Sequence, residues 1–302
     1  MGKNHARVLA GLESAELTAI YDVDQARAQE LATLYGAQAV STLEDLADLV
    51  DAVAVAVPTV FHREVAGFLL ERGKHVLVEK PLSESLQEAQ ELVELADSKD
   101  LVLQVGHIER FNPVMQQLED RIKLPRFIEA TRLSPFPNRS IDIGVTLDLM
   151  IHDLEIILHL VGSPVVSIDA VGVPVLTRRE DIANARLRFA NGCVANVTAS
   201  RVSDKKMRKI QVFHTEGYIS LDYQEQAGHA YRREGMAIVR DEVQVEKDEP
   251  LKLELASFID CAARGGKPVV GGHQGTEALR LAVLIMKAME QNSTMSLPSP
   301  LP

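Results

Sequence analysis

The chain has 302 residues, enough for two domains, because a single hydrophobic core stops growing at about 250–300 residues. Its 32 lysines and arginines against 43 aspartates and glutamates give a net charge of −11, which argues against a nucleic-acid or anionic-membrane binder. The two cysteines, Cys193 and Cys261, are too few for a disulfide framework or a thiolate zinc site, so a reducing compartment is expected.

No apolar run approaches the about 18 residues needed to span a bilayer. The opening MGKNHAR has no apolar signal core, and Ala6 stands where a myristoylation motif wants Ser or Thr. The expectation is a cytoplasmic protein with no membrane partner. In chain order, residues 3–12 read as a helix and 17–23 (LTAIYDV) as a buried strand. A helix follows from Asp24, a cap, to Tyr35, with Gly36 to stop it. Residues 52–57 (AVAVAV) form a short strand pattern before Pro58, residues 62–72 a helix, and 75–79 (HVLVE) a strand. An acidic amphipathic helix over 84–97, capped by Ser83 or Ser85, leads to a strand at 101–105. Apolar strands alternating with helices predict a parallel sheet covered on both faces. After Gly106 the rhythm changes. One apolar helix is expected over Val145–Val161, then strands near 165–171, 183–190, 193–200, 208–215 and 217–222, with turns such as Asn191-Gly192. Helices at 250–264 and 274–291 close the pattern, and the proline-rich tail is expected to be mobile.

Four constellations carry candidate chemistry. Asp22 ends a strand and lies 20 residues after Gly2, the spacing of a dinucleotide fold's last turn glycine and its ribose-binding acid. In that reading the first strand and most of the glycine-rich turn are missing from the sequence as given, and about 8–12 residues would restore them. The alternative is an ordinary glycine and a strand-end cap. In HVLVEKPLS, Glu79 and Lys80 end a strand at the sheet's carboxyl edge, where open α/β sheets bind ligands and a lysine can transfer protons; a surface ion pair is the alternative. In the helix at 145–161, Asp148, His152, Glu155 and His159 recur at spacings of 4, 3 and 4 and share a narrow face. Asp148 and His152 can form a carboxylate–imidazole pair suited to taking an alcohol proton, or the face is a thin solvated stripe. No further ligand cluster supports a metal site there. Arg201, Lys205, Lys206, Arg208 and Lys209 make a basic cluster that can meet substrate phosphates or simply form a solvated hairpin.

Taken together, MGKNHARVL, YDVD, VPTVFH, VEKPLS, GHIERFNP and the D-x-x-x-H of LDLMIHD resemble, in order and spacing, the glucose-fructose oxidoreductase / inositol dehydrogenase (Gfo/Idh/MocA) family. The resemblance implies an α/β chain. Residues 1–110 would form a doubly wound NAD-binding Rossmann-like domain. Residues 111–292 would form an α+β substrate and oligomerisation domain with a largely antiparallel, open-faced sheet, and 293–302 a mobile tail. It implies that Lys80 lies beside the nicotinamide and the reacting carbon, that Asp148 and His152 complete the catalytic set, and that Asp22 favours NAD over NADP. Gly2, Pro58, Thr59, His62 and Glu79 would flank the cofactor; Val57 stands where the family usually has a threonine. Stretches 106–118 and 198–210 are most similar to the family's UDP-N-acetylglucosamine 3-dehydrogenase branch. This implies oxidation of a sugar-ring hydroxyl on a UDP-N-acetylhexosamine, a place in lipid A or polysaccharide biosynthesis, and a homo-oligomer. Arg110, Asn112, Arg139, Lys205 and Lys206 would bind the substrate. A free sugar or inositol as substrate, or a non-catalytic NAD(P)-sensing regulator, are the alternatives.

Overall fold

A computed structural model describes residues 1–136 and 143–293. The chain begins with α1 (Gly2–Ala10), β1 (Ala19–Tyr21), α2 (Gln25–Tyr35), β2 (Gln38–Val40), α3 (Leu43–Leu49) and β3 (Ala52–Val55). It continues through α4 (His62–Glu71), β4 (His75–Glu79), α5 (Leu86–Ser98) and β5 (Leu103–Gly106). The helix limits follow local chemistry. Asp24 accepts the Arg27 amide at the start of α2, Gly36 ends it at φ 72°, and Ser85 with Glu88 closes a reciprocal capping box on α5. Next come α6 (Pro113–Arg121), β6 (Phe127–Leu133), α7 (Ile151–Val161) and β7 (Val165–Val173). The strands β8 (Ile182–Phe189), β9 (Val194–Ser200), β10 (Met207–His214), β11 (Gly217–Asp222), β12 (Ala227–Glu234) and β13 (Ala237–Glu242) follow. The last helices are α8 (Pro250–Arg264) and α9 (Gly272–Ser293).

Two compact units result. The first holds Met1–Phe111 and Asp248–Glu277; the second holds Asn112–Lys247 and the chain from Ala278 onward. The expected division put residues 111–292 in one domain, but 248–277 returns to the first unit. The reason is the apolar face of α8, whose Leu251, Leu255 and Phe258 are buried with Val8, Leu77 and Val102. Ser293, expected to open the tail, is the last residue of α9, and residues 294–302 lie outside the described residues.

In the first unit every strand pairing is parallel, as continuous apolar strands such as VLV in β4 require. The strands lie in two sheets, β1-β2 and β3-β4-β5, and among the described residues no strand joins β1 to β3. The short strand β2 and helix α3 were not anticipated, because three and seven residues carry too little periodicity to read.

In the second unit one eight-stranded sheet runs β13-β12-β11-β10-β6-β9-β8-β7, antiparallel except for the parallel pair β6–β9. One face carries the core: Ile128, Ala130, Ala185, Leu187, Ala195, Val197, Ile210 and Val212 are buried with Ile151, Leu154 and Ile157 of α7 and Leu281 and Ile285 of α9. The other bears a ladder of rings, with Phe127–Phe213, Phe213–Tyr218 and Tyr218–Tyr231 centroids 5.6, 4.8 and 4.2 Å apart. The single helix expected at 145–161 is in fact a π-helical turn at Thr146–Met150 followed by α7. Among the described residues no helix is long and apolar enough to cross a membrane.

Candidate active site

In the first unit the chemistry gathers at the carboxyl ends of β4 and β5, which lie side by side with Glu79 opposite Gly106. A Cβ on Gly106 would come within 3.1 Å of the Glu79 Cα and of its Oε2, so glycine lets the two strand ends approach. Glu79 turns its carboxylate inward to His5 of α1, Nε2 to Oε1 2.8 Å, and His5 is buried. The Nε2–H tautomer donates there and leaves Nδ1 without a partner among the described residues. Glu79, expected to flank the cofactor, therefore anchors α1 to the end of β4. Lys80 follows, joined to Pro81 by a cis peptide bond.

His62 was also expected beside the cofactor. Its ring is 1% exposed, with Nδ1 2.9 Å from the Pro81 carbonyl and Nε2 3.0 Å from the Val57 carbonyl. Burial holds its pKa below the ordinary value despite those carbonyls, so the ring is neutral and donates to one of them. His62 thus ties the loop after β3, with Pro58 and Thr59, to the loop after β4, and presents no ring nitrogen to a ligand.

His107, just past β5, is a group the sequence reading passed over. Burial, then the charges of Lys80 and Arg110, push its pKa down to about 3. A neutral imidazole therefore stands in the field of both cations, placing Lys80, His107 and Arg110 in one electrostatic neighbourhood. The signal was present in GHIERF, where a histidine directly follows an apolar strand at the sheet's carboxyl edge. A second unanticipated group is Glu254 of α8. It is buried, its two carboxylate oxygens have no partner among the described residues, and burial, then the Glu79 charge, raise its pKa well above the ordinary range.

Asp22 lies just past β1, its side chain 32% exposed, with Oδ1 accepting the Asp24 amide at 2.9 Å. Gly2 opens α1, and a Cβ there would only touch Ala56 at 3.9 Å, so packing in the unit does not itself demand glycine.

In the second unit the π-helical turn carries Asp148, and His152 follows one turn later in α7; both are half-buried. Short π segments are frequent at functional sites. The stripe read from spacing is only partly a surface. His159 is exposed beside Glu119 at 2.8 Å, whereas Glu155 is buried. The opposite face hides Asp153, paired to the buried Arg132 of β6 through Nε–Oδ2 at 2.7 Å and Nη2–Oδ1 at 3.1 Å. This two-pronged pair, adjacent to His152, holds α7 on the sheet.

The substrate residues expected from sequence fall on different elements. Arg110 sits in a 3-10 turn at Ile108–Phe111 of the first unit. Asn112 is spent on structure: buried, it caps α6 through the Val114 amide and donates to the Tyr223 carbonyl at 3.0 Å. Arg139 lies outside the described residues. Lys205 and Lys206 are exposed in the turn before β10, as a solvated cluster would be. Arg201, counted with them, is fully buried and paired to Asp181 at 2.7 Å, so it is no part of that surface.

Known proteins match this arrangement. The profile described as "Oxidoreductase family, NAD-binding Rossmann fold" matches residues 1–107, and that of the GFO/IDH/MocA C-terminal domain matches residues 125–220. UDP-N-acetylglucosamine 3-dehydrogenase of Acidithiobacillus ferrooxidans is 36% identical over 96% of this chain and 94% of that protein. The chain belongs to the Gfo/Idh/MocA family. Its solved relatives include the Acidithiobacillus ferrooxidans enzyme, with a TM-score of 0.92 at 35% identity, covering 96% of this chain and 94% of that one. Myo-inositol 2-dehydrogenase of Thermotoga maritima is 28% identical over 98% of this chain and 96% of that protein. Levoglucosan dehydrogenase in complex with NADH and levoglucosan shares the fold, with a TM-score of 0.87 at 20% identity over 96% of this chain and 95% of that one. This Gfo/Idh/MocA member is an NAD-linked oxidoreductase, and its first unit is the NAD-binding Rossmann domain.

Proposed function

We propose that the protein oxidises the C3 hydroxyl of UDP-N-acetylglucosamine to a ketone with NAD. The observation that carries the substrate class is the 36% identity, extending over nearly the whole chain, to the Acidithiobacillus ferrooxidans UDP-N-acetylglucosamine 3-dehydrogenase. The donor set suits NAD. Asp22 stands past β1 with a partly exposed carboxylate for the adenosine ribose, and a negative charge there disfavours the extra phosphate of NADP. Gly2 at the start of α1, and Pro58, Thr59 and Lys80 past β3 and β4, are the other cofactor contacts in this reading. Bound NAD supplies the hydride acceptor.

The chain's own residues handle the proton. His152 or Lys80 takes it from the ring hydroxyl, Asp148 orients the imidazole, and the alkoxide's electrons form the carbonyl as hydride leaves the carbon. His107, held neutral, adds no histidine charge beside Lys80. Lys205 and Lys206 serve the diphosphate, and Arg110 and Arg139 complete the substrate contacts. The open sheet face with its ring ladder supports a homo-oligomer, and two unpaired cysteines support a cytoplasmic setting. A role in lipid A or polysaccharide biosynthesis rests on the same likeness as the substrate.

The test is NADH formation from NAD with UDP-N-acetylglucosamine, N-acetylglucosamine or myo-inositol as substrate. Turnover confined to the UDP-sugar and lost in Lys80→Ala with His152→Ala supports the reading. Equal turnover of myo-inositol refutes the substrate class, and undiminished turnover in the double variant refutes the catalytic assignment.

A further inference from the structure

The acidic pair Glu180-Asp181, immediately before β8, engages two other loops at once. Glu180 takes the amides that open the catalytic helix: its main-chain carbonyl accepts from Val145 at 2.9 Å and its Oε1 from Thr146 at 3.2 Å. These are amides that a helix start leaves unpaired, and a carboxylate there also suits the helix dipole. The Glu180 carboxylate lies directly over Gly144, where a Cβ would collide with it.

Asp181 grips the neighbouring loop. Its Oδ2 accepts three successive amides, Val175, Leu176 and Thr177, at 2.8, 2.6 and 2.8 Å, and its Oδ1 accepts the Thr177 hydroxyl at 2.9 Å. Arg201, from the end of β9, locks the arrangement. Nε donates to Asp181 Oδ1 at 2.7 Å, Nη2 to the Thr177 hydroxyl at 2.9 Å, and Nη1 to the Ile143 carbonyl at 2.8 Å. Its own amide donates to the Asp181 carbonyl at 2.9 Å. Asp181 and Arg201 are both fully buried. Residues 143, 145 and 146 each surrender a backbone group to this assembly, and the π-helical turn with Asp148 begins at Thr146 itself.

We propose that Glu180 is a positioning residue for the reaction: seated on Gly144 and braced by Asp181 and Arg201, it sets the angle at which the turn presents Asp148 to His152. A carboxylate that reaches across from another loop fixes that turn where its own sequence, Gly-Val-Thr, offers no capping side chain at the bonded amides. Near the reacting atoms a displacement of about 1 Å costs up to about a hundredfold in rate. The inference rests on the reading that Asp148 and His152 act in catalysis.

The experiment compares Glu180→Ala, Glu180→Gln and wild type. With NAD and UDP-N-acetylglucosamine, Glu180→Ala is expected to lower kcat at least about tenfold while KM for NAD stays within about twofold. Glu180→Gln keeps an oxygen acceptor for the Thr146 amide and is expected to recover most of the rate. A merely structural loss would move both substrates' KM and would lower thermal stability in proportion. Amide hydrogen exchange on the free enzyme separates this proposal from the substrate reading, since it needs no turnover. Exchange at residues 145–150 should rise in Glu180→Ala while β8 and β9 stay protected. If wild type does not turn over the UDP-sugar, the substrate reading falls and the exchange result alone decides for or against the clamp. Unchanged exchange at 145–150, or an unchanged kcat in an active enzyme, overturns the proposal. If Glu180→Ala fails to fold, Gly144→Ala, which displaces the carboxylate without removing it, must show the same loosening of 145–150 or the idea is wrong.

Discussion

Removing either member of the Arg201–Asp181 pair tests how the second unit is held together, and the two removals should not cost the same. Both side chains are 0% exposed, and breaking a buried pair from one side costs about 3–5 kcal/mol. In Arg201→Met the remaining carboxylate keeps the amides of Val175, Leu176 and Thr177 and the Thr177 hydroxyl. Its charge stays well solvated by fixed dipoles, so the cost falls near the lower end, about 3 kcal/mol. In Asp181→Asn the buried guanidinium keeps neutral acceptors such as the Ile143 carbonyl and the Thr177 hydroxyl but loses its carboxylate. That uncompensated cation puts the cost near the upper end, about 5 kcal/mol. The pair also has a pH signature. Burial alone would raise the Asp181 pKa, but the amides of Thr177 and Leu176, the Arg201 guanidinium and the Val175 amide outweigh it and hold the carboxyl well below its usual range. The folded-state pKa is depressed, so the stabilisation is full above the unfolded value of about 3.9 and is lost as pH falls through the folded value. Asp181→Asn removes that acid-side dependence. Urea denaturation with amide exchange read at β8 and β9 reports the second unit specifically. Equal losses in the two variants, or losses under about 0.5 kcal/mol, would refute the argument.

Glu254 carries the opposite sign. Its folded-state pKa is raised, so wild-type stability should decline as pH rises above the unfolded value of about 4.3, and Glu254→Gln should remove that decline in thermal melts. His107, with its pKa pushed down to about 3, resists the proton that the unfolded chain takes up near 6.5. At pH 5 this costs the folded state about 2 kcal/mol, which His107→Gln should remove in acid denaturation. Lys205→Ala with Lys206→Ala should raise KM for the UDP-sugar about tenfold and leave KM for NAD unchanged, with the difference shrinking at high salt; steady-state kinetics at two ionic strengths checks both.

Local sequence determined the α/β rhythm of the first unit, the strands with an apolar side and the helix caps. These depend on neighbours within a few residues: Asp24, Gly36, Ser85 and the periodicity of HVLVE act through their own turn or strand. The markers at strand ends, Asp22 and Lys80, were legible for the same reason, and so was the spacing of Asp148 and His152. What stayed hidden depends on partners far along the chain. β6 was unreadable because Arg132 occupies an inward position where alternation demands an apolar residue, and its partner Asp153 sits on another element. The hairpin β12–β13 shows no alternation because residues on both its faces are exposed. Arg201 read as one surface cation among several until Asp181, 20 residues away in sequence, turned it inward. Helix α8 joined the first unit through an apolar face whose destination no periodicity encodes. The π-helical turn, and the Glu180 contacts that set it, likewise exist only once β8 stands beside residues 143–146. Periodicity records which side of an element is apolar; only tertiary structure decides what that side meets and which charges go inside with it.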